Sequence, residues 1–204
     1  MTGNAAQIAN SGVRATEMAC GRNGVVLLSG VSFNLEPGNG LLIRGPNGVG
    51  KTTLLECLAG IRPLMAGRAE IEPEQVAHCG HRTPLKSELT VRENLEFLHG
   101  LFGVATEEEH LQVLGLQELS GRPAGQLSAG QRTRLSLTAT ITLGRAAWLL
   151  DEPFALLDDV ARRKLDECML SHRGRGGIAI VTTNDRSPAG NWHDLDLSHF
   201  ASAS

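Results

Sequence analysis

Short runs of consecutive apolar residues occur along the chain together with segments of helical spacing. GLLIR at 40–44, the AAWLL part of 146–153 and the IAIV part of 176–185 lack polar alternation. Such runs predict strands that are covered on both faces of a parallel sheet. KTTLLECLAGI at 51–61 follows the first run, has helical spacing and is closed by a glycine. A buried strand that leads through a loop into a helix predicts an α/β fold.

The middle of the chain has the periodicity of amphipathic helices. Thr90 and Glu93 form a capping box for a helix that runs to Phe102. Thr106–Glu109 are expected to cap another helix before Gly115. The apolar residues of the first helix fit a place in the core, and an exposed minority of them fits a docking groove for another subunit. The sequence leaves both interpretations open.

The chain is expected to form one domain at 13–204. It comprises a glycine-rich antiparallel β region at about 13–40, a helical insert near 83–127 and a last short strand in HDLDLS at 193–198. Residues 1–12 are small, polar and poor in acidic side chains, and they lack the apolar stretch of a signal peptide. They are expected to form a flexible tail, with an organelle-targeting segment as the alternative.

Charge, hydrophobicity and cysteine content disfavour several classes of function. A formal net charge of -3 over 204 residues gives no basic excess that would attract nucleic acid. No apolar run has the length of a membrane span, so work at a membrane would need a partner. The four cysteines are scattered, which indicates reduced thiols. His78, Cys79 and His81 lie close together, but no second ligand pair at a zinc-like spacing completes them.

The loop RGPNGVGKTT at 44–53 carries the clearest chemical signal. Gly45, Gly50, Lys51 and Thr52 fit the pattern G-x-x-x-x-G-K-[ST] of a phosphate-binding loop. Its glycines allow backbone N–H groups to face one concavity, the lysine reaches the outer phosphates, and the threonine hydroxyl is a ligand for Mg²⁺. Because a strand precedes the loop and a helix follows it, the sequence predicts binding of a nucleoside triphosphate with magnesium.

Two acidic residues follow the strand AAWLL. Asp151 ends that strand, on the side of a parallel sheet where ligands bind, and is expected to hold Mg²⁺. Glu152 is then placed to act as general base for an attacking water molecule. Acidic residues often end strands, so this pair gains its meaning from the phosphate-binding loop earlier in the chain.

A second nucleotide contact is predicted in QLSAGQRTRLSL at 126–137. Ser128 and Gln131 form a capping box, so a helix begins here, and Gly130 is expected to leave its first turn uncovered. A bare helix N-terminus with a free hydroxyl is an anion site. A capping box alone more often marks only the start of a helix.

Together these motifs resemble those of the ABC-type ATPases over most of the chain. LSAGQ at 127–131 is similar to the signature motif of that family, and DEPFALLD at 151–158 is similar to its Walker B motif and D-loop. The resemblance implies a P-loop NTPase of ABC type, with a parallel-sheet core, an antiparallel β subdomain and a helical insert. It also implies that two such domains pair head to tail as a homodimer in the complex, and that the signature of one closes on the ATP of the other. Binding would drive closure and hydrolysis would drive reopening.

The motifs and the resemblance define the expected site. Catalysis is assigned to Lys51, Glu152, Asn184 and His81, and binding of Mg²⁺ to Thr52 and Asp151. The residues expected to contact ATP lie in the P-loop, the signature and the D-loop: Gly45, Pro46, Asn47, Gly48, Val49, Gly50, Lys51, Thr52, Thr53, Ser128, Gly130, Gln131 and Asp158.

The stretch CGHRTPLKSELTVRENLEFLHGLFG at 79–103 is similar to the corresponding part of the CcmA family, the ATP-binding subunits of cytochrome c maturation systems. Most ABC ATPases have glutamine at the position of His81. The family pattern, G-H-x-P-x-x-K-x-E-L-T followed by E-N-L, is matched at nine positions: Gly80, His81, Lys86, Glu88, Leu89, Thr90, Glu93, Asn94 and Leu95. The resemblance implies an integral membrane partner similar to CcmB and haem-handling partner proteins. It also implies ATP hydrolysis coupled to haem export or to release of a haem chaperone.

The same resemblance implies a location and leaves two other roles open. The implied location is peripheral, on the cytoplasmic side of the inner membrane, with the matrix side of the mitochondrial inner membrane as the alternative. The chain also fits the ATPase of another small ABC exporter, or a weakly hydrolysing subunit with a mainly structural role. A soluble ABC protein acting on DNA is disfavoured, because the sequence has no long heptad insertion and no basic stripe.

Two features of the family are missing. The stretch CGRNGVVLL at 20–28 has no aromatic platform for adenine, so Arg22 or Val26 would have to contact the base. The histidine expected after the last core strand is replaced by Asn184 in VTTND at 181–185. Asparagine keeps a donor and an acceptor but carries no charge near neutral pH. A weakened contact with the γ-phosphate and slower turnover are therefore expected.

Overall fold

The computed structural model describes residues 12–81, 84–184 and 187–202. The tail expected at 1–12 lies outside the described residues except for its last position. The first residue of the helical insert expected near 83–127 and the last residue of the strand predicted within 176–185 also lie outside them. The division of the chain into subdomains stays a prediction.

Groups of strands and groups of helices follow one another along the described chain. The strands are β1 (Val13–Arg22), β2 (Val25–Leu35), β3 (Gly40–Arg44), β4 (Ala66–Glu70), β5 (Val76–Cys79), β6 (Ala147–Asp151), β7 (Ile178–Thr182) and β8 (His193–Asp196). The α-helices are α1 (Lys51–Leu58), α2 (Val91–Gly100), α3 (Glu108–Val113), α4 (Ala129–Ile141) and α5 (Asp159–Gly174). Short 3-10 turns lie at Pro73–Gln75, Gln117–Leu119, Ala124–Gln126 and Leu197–His199.

The core is a parallel sheet with the strand order β5-β6-β7-β3-β8. Its inner strands send alternate side chains into two different clusters: Leu149 of β6 packs with α1 and β1, whereas Leu150 packs with α5. Because both faces are covered, consecutive positions are apolar, which confirms the predicted α/β fold and its core strands. β7 is shorter than the predicted 176–185, because the backbone N–H groups of Gly176 and Gly177 are used to close α5.

A second, antiparallel sheet has the order β2-β1-β4. β1 and β2 pair along their length, from Val13 opposite Leu35 to Arg22 opposite Val25, which confirms the antiparallel β region. No sequence pattern predicted β4. Its sequence, AGRAE, is mostly exposed and has too few apolar residues to show a strand pattern. This sheet packs against α1 and one face of the core sheet.

The loop before α2 is fixed by the helix itself. Thr90 and Glu93 form the predicted capping box, with both reciprocal hydrogen bonds present. Asn94 is fully buried, and its Nδ2 lies 3.0 Å from the carbonyl oxygens of Lys86, Leu89 and Thr90. Its Oδ1 accepts the Lys86 N–H at 2.8 Å. Asn94 therefore holds the loop from Lys86 to Thr90 against the first turn of α2.

The cap predicted for the next helix is wrong by one residue. Glu107, not Thr106, is the N-cap of α3, and His110 rather than Glu109 completes the capping box. The hydroxyl of Thr106 lies 2.8 Å from Nδ1 of the buried His99, which joins it to α2. A hydroxyl that bonds to a neighbouring helix is not available to cap its own.

The helix α4 connects the helical part of the chain with the core sheet. Leu135 and Ala139 pack with α2 and α3, whereas Leu137 and Ile141 pack against the α5 face of the sheet. A single rigid helix thus contributes to two hydrophobic clusters. Among the described residues, none of the helices combines the length and the apolar character that a membrane span needs.

Candidate active site

The phosphate-binding loop connects the end of β3 to the start of α1 in the core sheet. Gly50 directly precedes the helix with a φ of 118°, a conformation that an L side chain rarely adopts. It supplies no side-chain cap, so the N–H groups of the first turn are left for an anion. The strand, loop and helix predicted around Lys51 are therefore all present.

The side chain of Lys51 folds back across its own loop. Only 6% of Lys51 is exposed, and its Nζ donates to the carbonyl oxygen of Gly45 at 2.9 Å and lies 3.4 Å from that of Pro46. Nζ also donates to Oδ1 of Asn184 at 2.7 Å and lies 3.8 Å from Oε1 of Glu152. A buried cation is therefore held at the point where the loop, β6 and β7 meet.

Asp151 lies at the end of β6 and is held on both sides by hydroxyl groups. Thr52 of α1 donates to Oδ2 at 2.7 Å, and Thr182 of β7 donates to Oδ1 at 2.6 Å. Asp151 and Thr52 were predicted to share a metal ion, and the structure brings their oxygen atoms together. Thr182 was not predicted, although a threonine that ends an apolar strand beside the strand of Asp151 is a signal that could have identified it.

Glu152 and Asn184 face each other across the same edge of the sheet. Nδ2 of Asn184 donates to Oε1 of Glu152 at 2.8 Å and to Oδ1 of Asn47 at 2.6 Å. The amide orientation is consistent, because its oxygen faces the Lys51 ammonium and its nitrogen faces a carboxylate. Glu152 has a φ of 46°, which is unusual for a residue with a side chain. Asn184 thus joins the lysine, the loop and the predicted base.

A cleft of about 760 Å³ opens between α1 and the helical part of the chain. Thr52 and His81 both line this cleft, and His81 is exposed. Nε2 of His78 is buried and makes no hydrogen bond among the described residues, and burial lowers the pKa of this histidine. Arg22, one of the two residues expected to contact the base, lines the cleft as well. The catalytic role assigned to His81 and the base contact stay predictions.

The signature residues and Asp158 begin two other helices. Ser128 and Gln131 form the predicted capping box of α4, and the carboxylate of Asp158 caps α5 by accepting the Ala161 N–H at 2.8 Å. Ser128 and Ala129 in this turn are exposed, whereas one side of Gly130 lies against the D-loop, and the expectation that Gly130 leaves the turn uncovered for an anion stays a prediction. A Cβ at Gly130 would lie 2.5 Å from the carbonyl oxygen of Leu156, so the D-loop covers that position and leaves no room for a side chain. The nucleotide contacts assigned to these residues stay predictions.

This arrangement defines an ABC-type ATPase. Residues 28–155 match the ABC transporter family, which is more than half of the chain. Within that family the chain belongs to the CcmA proteins: the cytochrome c biogenesis ATP-binding export protein CcmA of Paracoccus denitrificans (strain Pd 1222) is 44% identical over 168 residues, which are 82% of this chain and 80% of that protein. The resemblance stated from the sequence is thereby confirmed.

Solved structures support the fold. An ABC transporter ATP-binding protein from Pyrococcus furiosus superposes with a TM-score of 0.83 at 20% identity, covering 94% of this chain and 100% of that one. The ATP-binding cassette MJ0796, described as dimeric and in a post-hydrolysis state with ADP and Pi, superposes with a TM-score of 0.75 at 21% identity and covers 85% of this chain and 88% of its own. At these identities the likeness concerns the fold alone.

Proposed function

We propose that this chain hydrolyses Mg-ATP at the carboxyl edge of its parallel sheet and that hydrolysis drives a membrane complex of cytochrome c maturation. The observation that carries the first part is the contact network around Asn184, which joins the buried Lys51 to Glu152. The similarity to CcmA proteins over most of the chain supports the second part.

The donor atoms beside the loop fit a magnesium ion. Thr52 and Asp151 bring a hydroxyl and a carboxylate oxygen within 2.7 Å of each other, and both are hard oxygen ligands of the kind that Mg²⁺ prefers. These two residues would hold the ion, which when bound would offset the negative charge of the phosphate oxygens.

Different residues bind the phosphates, accept the proton of the water and orient the base. Lys51 and the free N–H groups of the first turn of α1 bind the phosphates. Glu152 accepts a proton from water as the water oxygen bonds to the γ-phosphorus, and the bond from that phosphorus to the bridging oxygen breaks to leave ADP and phosphate. Asn184 orients Glu152 and shares a hydrogen bond with the lysine, so base and cation are placed by one amide.

A second copy of the chain would complete each site. Ser128 at the start of α4 is exposed, and so are the apolar side chains of Leu156 and Val160 near the D-loop, at 59% and 56%. Exposed apolar side chains beside a helix N-terminus fit a surface that another copy covers. In the pair, the signature of one copy would contact the ATP held by the other.

The partners that the closing and reopening of this pair would drive are expected at the membrane. We place the chain as a peripheral subunit on an integral partner similar to CcmB, together with haem-handling proteins, on the cytoplasmic side of the inner membrane. Purification of the tagged chain from native membranes tests this. Recovery of such partners supports the proposal, and recovery of the membrane subunit of an unrelated small exporter favours the alternative role.

Location gives a first prediction. We expect the chain to sediment with membranes only when its integral partner is present, and to be released by high salt or alkaline carbonate, because protein contacts rather than lipid contacts hold it. Fractionation of cells with and without the partner measures this. A chain that stays in the lipid phase after alkaline extraction in cells without the partner would contradict it.

Asn184 gives a second prediction. We expect Asn184→His to raise ATP turnover about tenfold with little change in ATP affinity. A charged histidine would donate a charge-assisted hydrogen bond to the γ-phosphate, and such bonds are roughly twice as strong as neutral ones. Each 1.36 kcal/mol taken off the barrier is tenfold in rate. Steady-state ATPase assays with the membrane partner present measure it, with Asn34→His on β2 as the matched control. A rate equal to or below that of the parent would mean that the contacts of Asn184 with Lys51, Asn47 and Glu152 already perform the histidine's role.

A further inference from the structure

We infer that Thr182 is a positioning residue for ATP hydrolysis, because its single hydroxyl holds both carboxylate residues of the site. The inference rests on the proposed function, in which Asp151 serves the metal ion and Glu152 is the base. Thr182 itself is placed too deep to touch the nucleotide: it is fully buried at the end of β7, directly opposite Asp151 in the parallel pairing of β6 and β7.

The hydroxyl of Thr182 makes two hydrogen bonds in opposite directions. Its proton goes to Oδ1 of Asp151 at 2.6 Å, and its oxygen accepts the backbone N–H of Glu152 at 2.9 Å. A hydroxyl has one proton and can accept as well, so both bonds exist at once. The two residues that share the peptide bond after β6 are thus tied to the same atom.

For Asp151, the hydrogen bond from Thr182 is the second of two that hydroxyl groups donate to its carboxylate. Thr52 occupies Oδ2 from α1, and Thr182 occupies Oδ1 from β7. Two hydroxyls on opposite oxygens determine the plane of the carboxylate, which would otherwise rotate about its terminal bond, a broad torsion in aspartate. The hydroxyl of Thr182 therefore sets which way the other oxygen faces.

For Glu152, the hydrogen bond from its N–H to Thr182 stabilises an unfavourable backbone conformation. A φ of 46° in a residue with a side chain is sparsely populated and persists where the surroundings hold it. The backbone nitrogen of Glu152 is one of the four atoms that define this torsion, and the Thr182 hydroxyl accepts the hydrogen bond from its N–H. Releasing the N–H allows the residue to relax and to move its carboxylate away from Asn184.

Valine has the shape of threonine without the hydroxyl, so Thr182→Val isolates the two hydrogen bonds. In the full chain with its membrane partner, we expect kcat to fall about tenfold to a hundredfold and the KM for Mg-ATP to rise by a smaller factor, since the loss mainly affects the position of the base and reaches binding only through the Mg²⁺ ion. Thr182→Ser keeps the hydroxyl and should recover most of the parent kcat. Thr138→Val is the matched control, because Thr138 is fully buried and its hydroxyl makes no hydrogen bond among the described residues.

A binding measurement gives a readout besides activity. Equilibrium titration with a fluorescent ATP analogue, in Mg²⁺ and in EDTA, measures how much the ion strengthens binding. We expect Thr182→Val to reduce that Mg²⁺ effect, because Asp151 loses the bond that orients it, and to leave the affinity in EDTA unchanged. Thermal unfolding of each variant separates this from a loss of fold.

The outcomes decide between a hydroxyl that positions and a side chain that only packs. A parent-like kcat and Mg²⁺ effect in Thr182→Val would overturn the inference. So would a serine variant as impaired as the valine variant, because keeping the hydroxyl would then not preserve turnover. If the valine variant does not fold, the serine variant alone decides, since only the hydroxyl role predicts parent-like turnover. Failure of the proposed function would look different: the parent itself would then bind the analogue without any Mg²⁺ effect.

Discussion

Alanine in place of Lys51 is expected to abolish measurable ATP binding and hydrolysis. Lys51 is nearly buried, and its ammonium group is held by Gly45, Asn184 and, at 3.8 Å, Glu152. A hydrogen bond to a charged group contributes about 1.5–3 kcal/mol, which is roughly tenfold to a hundredfold in affinity. The same substitution leaves Glu152 and Asn184 without their cation, so the base loses its position at the same time.

Two measurements test this expectation for Lys51. Equilibrium ATP binding and steady-state hydrolysis are compared for the parent, Lys51→Ala and Lys164→Ala, in which a lysine of α5 outside this network is removed. The control should match the parent in both assays. Unchanged ATP affinity and turnover in Lys51→Ala would remove the phosphate-binding role of the loop.

Glutamine in place of Glu152 is expected to keep ATP binding and to slow hydrolysis by about 10²–10⁴-fold, the usual contribution of a positioned general base. The amide is nearly identical in shape, and its oxygen can still accept the hydrogen bond from Nδ2 of Asn184. It cannot accept the proton of the attacking water. ATP should therefore persist in the site and favour the closed pair of domains.

Light scattering with and without Mg-ATP, in the presence of the membrane partner, reports the pairing for Glu152→Gln. ATPase assays on the same samples report the rate. Glu70→Gln on the exposed strand β4 is the matched control and should behave as the parent in both. Hydrolysis at the parent rate in Glu152→Gln would mean that another residue is the base.

The parts of the fold that the sequence predicted are those with a short-range physical signal. The core strands were visible because both faces of the sheet are covered, which puts apolar residues at consecutive positions such as Leu149 and Leu150. The starts of α2 and α4 were visible because a capping box lies within four residues. The lysine of the site was visible because it is part of the pattern G-x-x-x-x-G-K-[ST], and the carboxylates were visible because they lie at the end of an apolar strand.

What the sequence missed depends on contacts between distant segments. Thr106 looked like a cap, but its hydroxyl bonds to His99 on another helix. The need for glycine at position 130 also depends on a distant segment, because the carbonyl oxygen of Leu156 occupies the space that a side chain there would need. Thr182 meets Asp151 only because β6 and β7 are neighbours in the sheet, and a local pattern does not contain that pairing. The expected contact of Ser128 with a second subunit lies beyond a single chain altogether.

The strand order also determines when the enzyme can be completed during synthesis. β3, which leads into the phosphate-binding loop, has only β7 and β8 as neighbours in the sheet, and both come near the end of the described chain. Pairings of such long sequence separation form slowly, because much chain entropy is lost before any contact compensates. During synthesis on the ribosome, β3 can therefore pair with its neighbours only after most of the chain has emerged. The ATP site is completed late for the same reason. A chain that ends before β7 lacks Thr182 and Asn184, so it cannot form the contacts that these residues make with Asp151, Lys51 and Glu152.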